Sequence, residues 1–260
     1  MKKLVLLFAA IAVFGCKSKE TREMPGVYNM LSQSLNDGQK DSTIVGIRQL
    51  KIYTPDHMMY TRFGTDSISS FGIATYGLVE GSIKENLIYS SLDSTEDVTN
   101  PLFHLDIKST PVGYEQVITG IELGGKKFTL REEYESVGES KTSPLDGAWE
   151  IARSYIIIGP DTTLQDLKEY KTYFAGHVMF GVNYLDSLKL MHTAIGYGSF
   201  DMVGDNKVKE TFEVSTFPYQ RGTSFDVTLE FDGPDRFKQT ITDSTGRIDI
   251  EVWDRLIKIK

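Results

Sequence analysis

The body of this chain is written twice, with a period of about 120 residues. Pro25-Gly26-Val27-Tyr28 matches Asp146-Gly147-Ala148-Trp149. Lys51-Ile52-Tyr53, three residues, then His57-Met58-Met59-Tyr60 matches Lys171-Thr172-Tyr173, three residues, then His177-Val178-Met179-Phe180. Tyr76-Gly77 matches Tyr197-Gly198, and Lys84-Glu85 matches Lys209-Glu210. Tyr114 to Glu122 aligns more loosely with Phe225 to Asp232, and Glu133-Tyr134-Glu135 matches Val252-Trp253-Asp254. The offsets run 121, 120, 121, 125, about 111 and 119, in unbroken order. Such drift is what loops absorb. Two tandem domains follow, residues 25–138 and 145–260. The polar segment 139–144 between them reads as a flexible linker.

Within each copy the pattern is strand after strand. Ile83 to Tyr89, Val208 to Val214 and Phe225 to Phe231 alternate between apolar and polar, and β-branched and aromatic residues dominate. Asp37-Gly38, Gly124-Gly125 and Asp232-Gly233 supply turns. No long stretch carries a helical period; Met30-Leu31 and Leu164 to Leu167 offer at most a turn of helix. The expectation is an all-β chain of two tandem small antiparallel β-barrels, about eight strands each.

The first 16 residues, MKKLVLLFAAIAVFGC, are an address. Two lysines precede an apolar run of 11 residues, too short to span a bilayer core of ~30 Å as a helix. This is a secretory signal pattern over residues 1–15. Val13-Phe14-Gly15-Cys16 resembles a bacterial lipobox, and Cys16 is the chain's single cysteine. The resemblance implies lipidation at Cys16, a polar tether over 16–24, and a membrane partner through the acylated cysteine. It places the protein in the bacterial cell envelope, anchored to the outer membrane, with the periplasmic and surface faces both open.

The repeated set, G-x-W or G-x-Y, then K-x-Y-x-x-x-H-x-M, Y-G, K-E and finally E-V-W-D-R, resembles the lipocalin-like, calycin-type domains of bacterial lipoproteins. That family is named for its fold, so the resemblance implies a calycin-type barrel and does not imply any ligand. It also implies that Trp149, at the start of the second copy, meets Arg255 at its end, where the first and last strands close the barrel. Copy one has Tyr28 and Tyr134 at these places and no matching arginine.

Strand parity puts Glu85 among Ile83, Leu87 and Tyr89, and Glu210 among Val208, Phe212 and Val214. Each carboxylate therefore points inward from an apolar face, which is costly unless it is paired. Its expected partners are Lys51, Tyr53, His57 and Tyr76 in copy one, and Lys171, Tyr173, His177 and Tyr197 in copy two. Three readings stay open: a network that fixes barrel register, a polar anchor in a ligand cavity, or a catalytic acid or base. The candidate ligand contacts are Tyr53, Tyr76, Glu85, Tyr173, Tyr197 and Glu210. Parity leaves His177 outward or at a rim, and His57 reads the same way. Copy one also carries a long stretch between Ser91 and Tyr114, whose Leu102 and Phe103 read as a lid or a surface flap.

A net charge of −8 argues against a nucleic-acid partner. One cysteine and four histidines argue against a metal centre, and no motif names a reaction, a catalytic residue or a cofactor. The expected function is binding of a small, largely apolar or amphipathic molecule. The alternatives are an envelope protein-interaction module with filled barrels, or an isomerase or hydrolase using Glu85 or Glu210.

Overall fold

The computed structural model describes residues 24–64, 69–79, 82–92 and 102–257. The leader, Cys16 and the tether up to residue 23 lie outside the described residues. The first copy forms β1 (Gly26–Asn36), β2 (Asp41–Ile44), β3 (Arg48–Tyr53), β4 (His57–Phe63), β5 (Ser69–Val79), β6 (Ser82–Ser90), β7 (Leu102–Ser109), β8 (Gly113–Leu123) and β9 (Lys126–Ser136). The second forms β10 (Gly147–Ile158), β11 (Asp161–Leu164), β12 (Leu167–Phe174), β13 (His177–Leu185), β14 (Met191–Gly204), β15 (Lys207–Ser215), β16 (Thr223–Phe231), β17 (Arg236–Thr242) and β18 (Ile248–Arg255). A 3-10 turn, Pro218–Gln220, precedes β16.

Each copy is an up-and-down antiparallel meander closed on itself. β1 pairs with β3 along its first four residues and with β9 along most of its length; β10 does the same with β12 and β18. Eight strands close each barrel, and the short β2 and β11 hairpin onto the far ends of β1 and β10. Closure leaves no free sheet edge at these seams. Met30-Leu31 is not a helical turn. The strand bulges between Met30 and Ser32, as β10 does between Ile151 and Arg153. The extra residue bends the strand, which closing a small barrel requires. Leu164 to Leu167 likewise joins β11 to β12.

The registers correct the repeat alignment in its middle. Tyr76 stands opposite Glu85, and Phe200 stands opposite Glu210, so the counterpart of Tyr76 is Phe200 and that of Tyr197 is Ile73. Phe103 stands opposite Glu85 as Phe225 stands opposite Glu210, so β16 corresponds to β7 and not to β8. The sequence match slipped by one strand because alternating strands share the same period of two. Leu102 and Phe103 are not a lid, because they pair with Asn86 and Glu85 in the barrel wall. They begin β7, half-exposed on a barrel wall.

The barrels pack side by side through a buried cluster that neither interior contains. Val27, Leu50, Ile52, Met59, Phe71 and Ile73 meet Ala148, Tyr170, Met179, Ile195, Tyr197 and Val214. The Phe71 ring lies against the backbone of Gly181, where a Cβ would stand 2.2 Å from the ring. Thr172 donates to Met59 Sδ at 3.2 Å, and Asn183 donates to the Tyr89 hydroxyl at 2.5 Å. The connecting segment is held to both barrels: Val137 N donates to Val27 O and Glu139 N donates to Ala175 O, each at 2.9 Å. Nearly continuous apolar runs in β4, β5, β13 and β14 have this cause, because those strands are covered on both faces.

Candidate functional site

Each barrel interior has two levels. The lower level is a solid aromatic floor. In barrel one it is five tyrosines, 28, 53, 76, 114 and 134, with Tyr28 edge-on to Tyr114 at 4.9 Å, Tyr53 edge-on to Tyr76 at 5.0 Å, and Tyr114 stacked on Tyr134 at 4.8 Å. Their counterparts in barrel two are Trp149, Tyr173, Phe200, Phe237 and Trp253. Trp149 meets Phe237 at 4.6 Å and Tyr173 meets Phe200 at 5.1 Å. Met24 and Leu145 plug the two floors from below; their carbonyls accept from the Tyr28 hydroxyl (3.2 Å) and the Trp149 indole (2.8 Å).

The closing strand locks the second floor. Arg255 lies 4.1 Å from the Trp149 ring centroid and donates to the carbonyls of Asp146 (2.7 Å), Pro234 (2.8 Å) and Pro144 (3.2 Å). Burial lowers the arginine pKa, and Asp235 and Asp146 oppose that shift. Trp149 and Arg255 thus tie the incoming chain, the first strand and the last strand together.

Above each floor sits a polar layer. In barrel one, Glu85 accepts from the Tyr53 hydroxyl at 2.6 Å and lies 3.8 Å from Lys51 Nζ. Lys51 donates to Gln116 (3.0 Å), Gln116 donates to Glu132 (2.5 Å), and Glu132 also accepts from Tyr134 (2.8 Å) and Gln33 (2.5 Å). In barrel two, Glu210 accepts from Tyr173 and lies 3.8 Å from Lys171 Nζ. Lys171 donates to Gln239 (3.3 Å), Gln239 donates to Glu251 (2.5 Å), and Trp253 Nε1 donates to the same carboxylate (3.2 Å). Lys51, Tyr53, Glu85, Gln116 and Glu132 are therefore repeated as Lys171, Tyr173, Glu210, Gln239 and Glu251. Buried charges persist when paired and hydrogen-bonded, as these are.

Burial raises the hydroxyl pKa values of Tyr53 and Tyr173 well above the ordinary tyrosine value, and the facing carboxylates Glu85 and Glu210 push in the same direction. These tyrosines are donors, not bases. Burial alone would lower Lys171, but Glu210, Glu251 and Glu169 hold it above the usual lysine value.

The six candidate contacts divide. Tyr53, Glu85, Tyr173 and Glu210 meet in the two polar layers. Tyr76 stays in the floor, where its hydroxyl donates to Thr54 O at 2.6 Å. Tyr197 is not inside barrel two; it lies in the cluster between the barrels. The bulge between Tyr197 and Gly198 shifts the inward parity to Gly198 and Phe200. His57 is buried beside a tight turn, its backbone N–H donating to Thr54 Oγ1 at 3.0 Å, and half-buried His177 places Nδ1 3.1 Å from Ala175 O.

Sequence reasoning missed Gln116, Glu132, Gln239 and Glu251. The signal was there, since Glu132 and Glu251 immediately precede the matched pairs around Tyr134 and Trp253 at the same offset of 119. It also missed Glu169, an inward carboxylate 8% exposed on β12.

Above the polar layer of barrel two the wall becomes partly accessible: Leu167, Tyr184, Phe217, Phe225 and Ile241 are half-buried. A cavity of about 410 Å³ opens beside it where β10 and β12 part, lined by Ile151, Ser154, Leu164, Gln165 and Leu167 among others. A second, of about 510 Å³, lies between the barrels, with Arg48 and Phe63 on one side and Tyr184, Glu213, Phe217 and Arg221 on the other. Among the described residues no three His, Cys, Asp or Glu side chains gather as metal ligands.

No family model matches the chain, and no curated protein matches it. Solved structures that match include a protein of unknown function from the DUF3598 family of Nostoc punctiforme, 11% identical over 89% of this chain and 96% of the other, with a TM-score of 0.27. Two mutant forms of the vaccine antigen transferrin binding protein B from Haemophilus parasuis also match. Each is 8% identical, over 86% and 85% of this chain and 56% and 63% of theirs, with TM-scores of 0.27 and 0.26. This chain spans under two thirds of those two, and the assignment of two closed barrels rests on its own strand registers.

Proposed function

We propose that this chain is a lipid-anchored envelope protein with two lipocalin-like barrels, of which barrel two binds a small amphipathic molecule above its polar layer. The observation that carries the reading is the division of each interior. The floor is filled, whereas the upper wall of barrel two is apolar and half-accessible and ends on fixed polar groups. Glu210 is 2% exposed, Glu169 8%, and the Glu251 side chain 20%, so the polar groups rise stepwise toward solvent. Apolar walls with a few convergent polar groups are the usual make-up of a small-molecule site. The Trp149–Arg255 closure supports the lipocalin-like assignment, and the lipobox before Cys16 supports the anchor and the outer-membrane address.

Two measurements test this. Native mass spectrometry of the full chain, purified in detergent from its host's envelope, is expected to show a retained molecule, lost on unfolding. Labelled fatty acid is expected to enter the wild-type chain and not Cys16→Ser. A mass without ligand would favour the interaction module instead. The exposed apolar tip of the β13–β14 hairpin, Leu188, Leu190 and Met191, is its natural contact.

A further inference from the structure

The upper levels of the two barrels differ in one charge relation. In barrel one Gln49 on β3 stands opposite Arg62 on β4. Arg62 Nη2 donates to Gln33 at 3.1 Å, and Gln33 in turn holds Glu132. In barrel two the same cross-strand pair is Glu169 and Val182, and the counterpart of Gln33 is the short Ser154. So where barrel one keeps a neutral amide and its own guanidinium, barrel two has a carboxylate and, at the matching positions Val182 and Ser154, no cation. Glu169 is aimed inward, is more than nine-tenths buried, and accepts no hydrogen bond from any described residue. Below it, Lys171 is the single cation shared by Glu210 and Glu251, at 3.8 and 3.9 Å. At the rim, Arg247 is already paired with Asp249 at 2.8 Å.

We infer that the upper half of barrel two receives an organic cation, a guanidinium or primary ammonium carried on an apolar tail, which takes the place that Arg62 holds in barrel one. This rests on the ligand-binding reading above and narrows it to a class. Glu169 and Glu251 face the head group. Val182, Leu167, Tyr184 and Ile241 offer the tail an apolar wall. A guanidinium or ammonium suits carboxylates too dispersed to ligate a metal, because its several N–H donors reach separate oxygens. Burial, with the nearby Glu251 charge, pushes the Glu169 carboxyl well above its ordinary value, and an incoming cation relieves the same unbalanced charge.

Both tryptophans of the chain lie in barrel two, and Trp253 touches Glu251, so selectively excited tryptophan emission reports barrel two. The full chain in detergent is titrated with hexylguanidinium, hexylammonium, hexanol and hexanoate, with calorimetry alongside. The two cations are expected to bind saturably and shift the emission, and the alcohol and the carboxylate are not. Glu169→Gln, nearly isosteric, is expected to weaken cation binding about tenfold, as loss of a charge-assisted hydrogen bond does. Val182→Arg, which installs the device of barrel one, is expected to abolish it. Equal binding of hexanol, or cation affinity unchanged in Glu169→Gln, overturns the cation and leaves the ligand-binding reading standing. Silence from all four probes, in a chain that still retains a molecule in its native mass spectrum, overturns the cation alone. Silence together with a mass without ligand removes both.

Discussion

Barrel one and barrel two share a backbone and a five-residue polar layer, yet they balance charge differently. Barrel one sets two carboxylates, Glu85 and Glu132, against Lys51 and the half-buried Arg62, and joins them through Gln33, Gln49 and Gln116. Its floor is entirely tyrosine, so Tyr53 and Tyr134 also donate upward into the layer. Barrel two sets three carboxylates against one lysine and keeps a single tyrosine in its floor. The fold thus fixes where polar groups stand but not whether their charges close among themselves. Barrel one reads as a finished interior. Barrel two reads as an interior waiting for a counter-charge.

The largest effect that separates the two comes from removing the lysine. Lys171→Met leaves three inward carboxylates without a cation, and an unpaired buried charge costs about 3–5 kcal/mol. Lys51→Met leaves Glu85 on Tyr53, and Glu132 on Gln33, Gln116 and Tyr134, with Arg62 still reaching Gln33. Its cost should fall nearer 1–3 kcal/mol, the penalty for one lost buried partner. Urea unfolding measures both, with tryptophan emission following barrel two and tyrosine near-UV dichroism weighted to barrel one. Equal losses would mean that the charge asymmetry has no energetic content.

A second substitution tests how far each barrel stands alone. Gly181 has no side chain because Phe71 of the other barrel occupies that space, and Phe71 is itself packed on Tyr89 at 5.5 Å. A methyl here must displace a buried ring, so Gly181→Ala should cost about 1–3 kcal/mol, typical of an overpacked core. The loss should fall on the interface. The wild-type chain is expected to unfold in one transition by both probes, and the variant in two. A single transition at unchanged denaturant concentration would show that the ring yields without cost.

Much of this was legible in the residues. The repeat announced two domains, and alternation announced strands, because each strand has one wet face and one dry face almost everywhere. Parity alone put Glu85 and Glu210 inside. It fails where a bulge resets it, as at Tyr197, and where a strand is covered on both sides, as in the barrel-to-barrel cluster. Glu132 escaped notice because acidic and polar residues surround it in sequence, Arg-Glu-Glu-Tyr-Glu from Arg131, and Glu251 because the apolar parity of its strand, Ile248, Ile250 and Val252, points the other way. A carboxylate is conspicuous only among apolar neighbours. Cross-strand relations such as Gln49–Arg62 against Glu169–Val182 join residues 13 apart and emerge only once the register is known.

The smallest effect sharpens the comparison most. Burial and the neighbouring Glu251 raise the Glu169 carboxyl well above 4.5, and burial also raises Glu251. A carboxyl whose folded pKa is raised holds its proton in the native state after the unfolded chain has lost it. Unfolding then releases a proton, so stability falls as pH rises from about 4.5 through the folded pKa and levels off above it. Barrel two should show that decline when tryptophan-detected urea unfolding is repeated between pH 5 and pH 8. Glu169→Gln mimics the protonated acid. It should match wild type within about 0.5 kcal/mol at pH 5, as near-neutral substitutions do, and become the more stable chain as pH rises. Gln49→Glu in barrel one provides the contrast, because Arg62 stands opposite to receive the new charge. If Glu169→Gln stabilises barrel two at pH 8 while weakening the cationic probe, the carboxylate is kept against stability, as functional groups are. A Glu169→Gln chain that loses stability at every pH would instead make Glu169 a structural member of the polar layer.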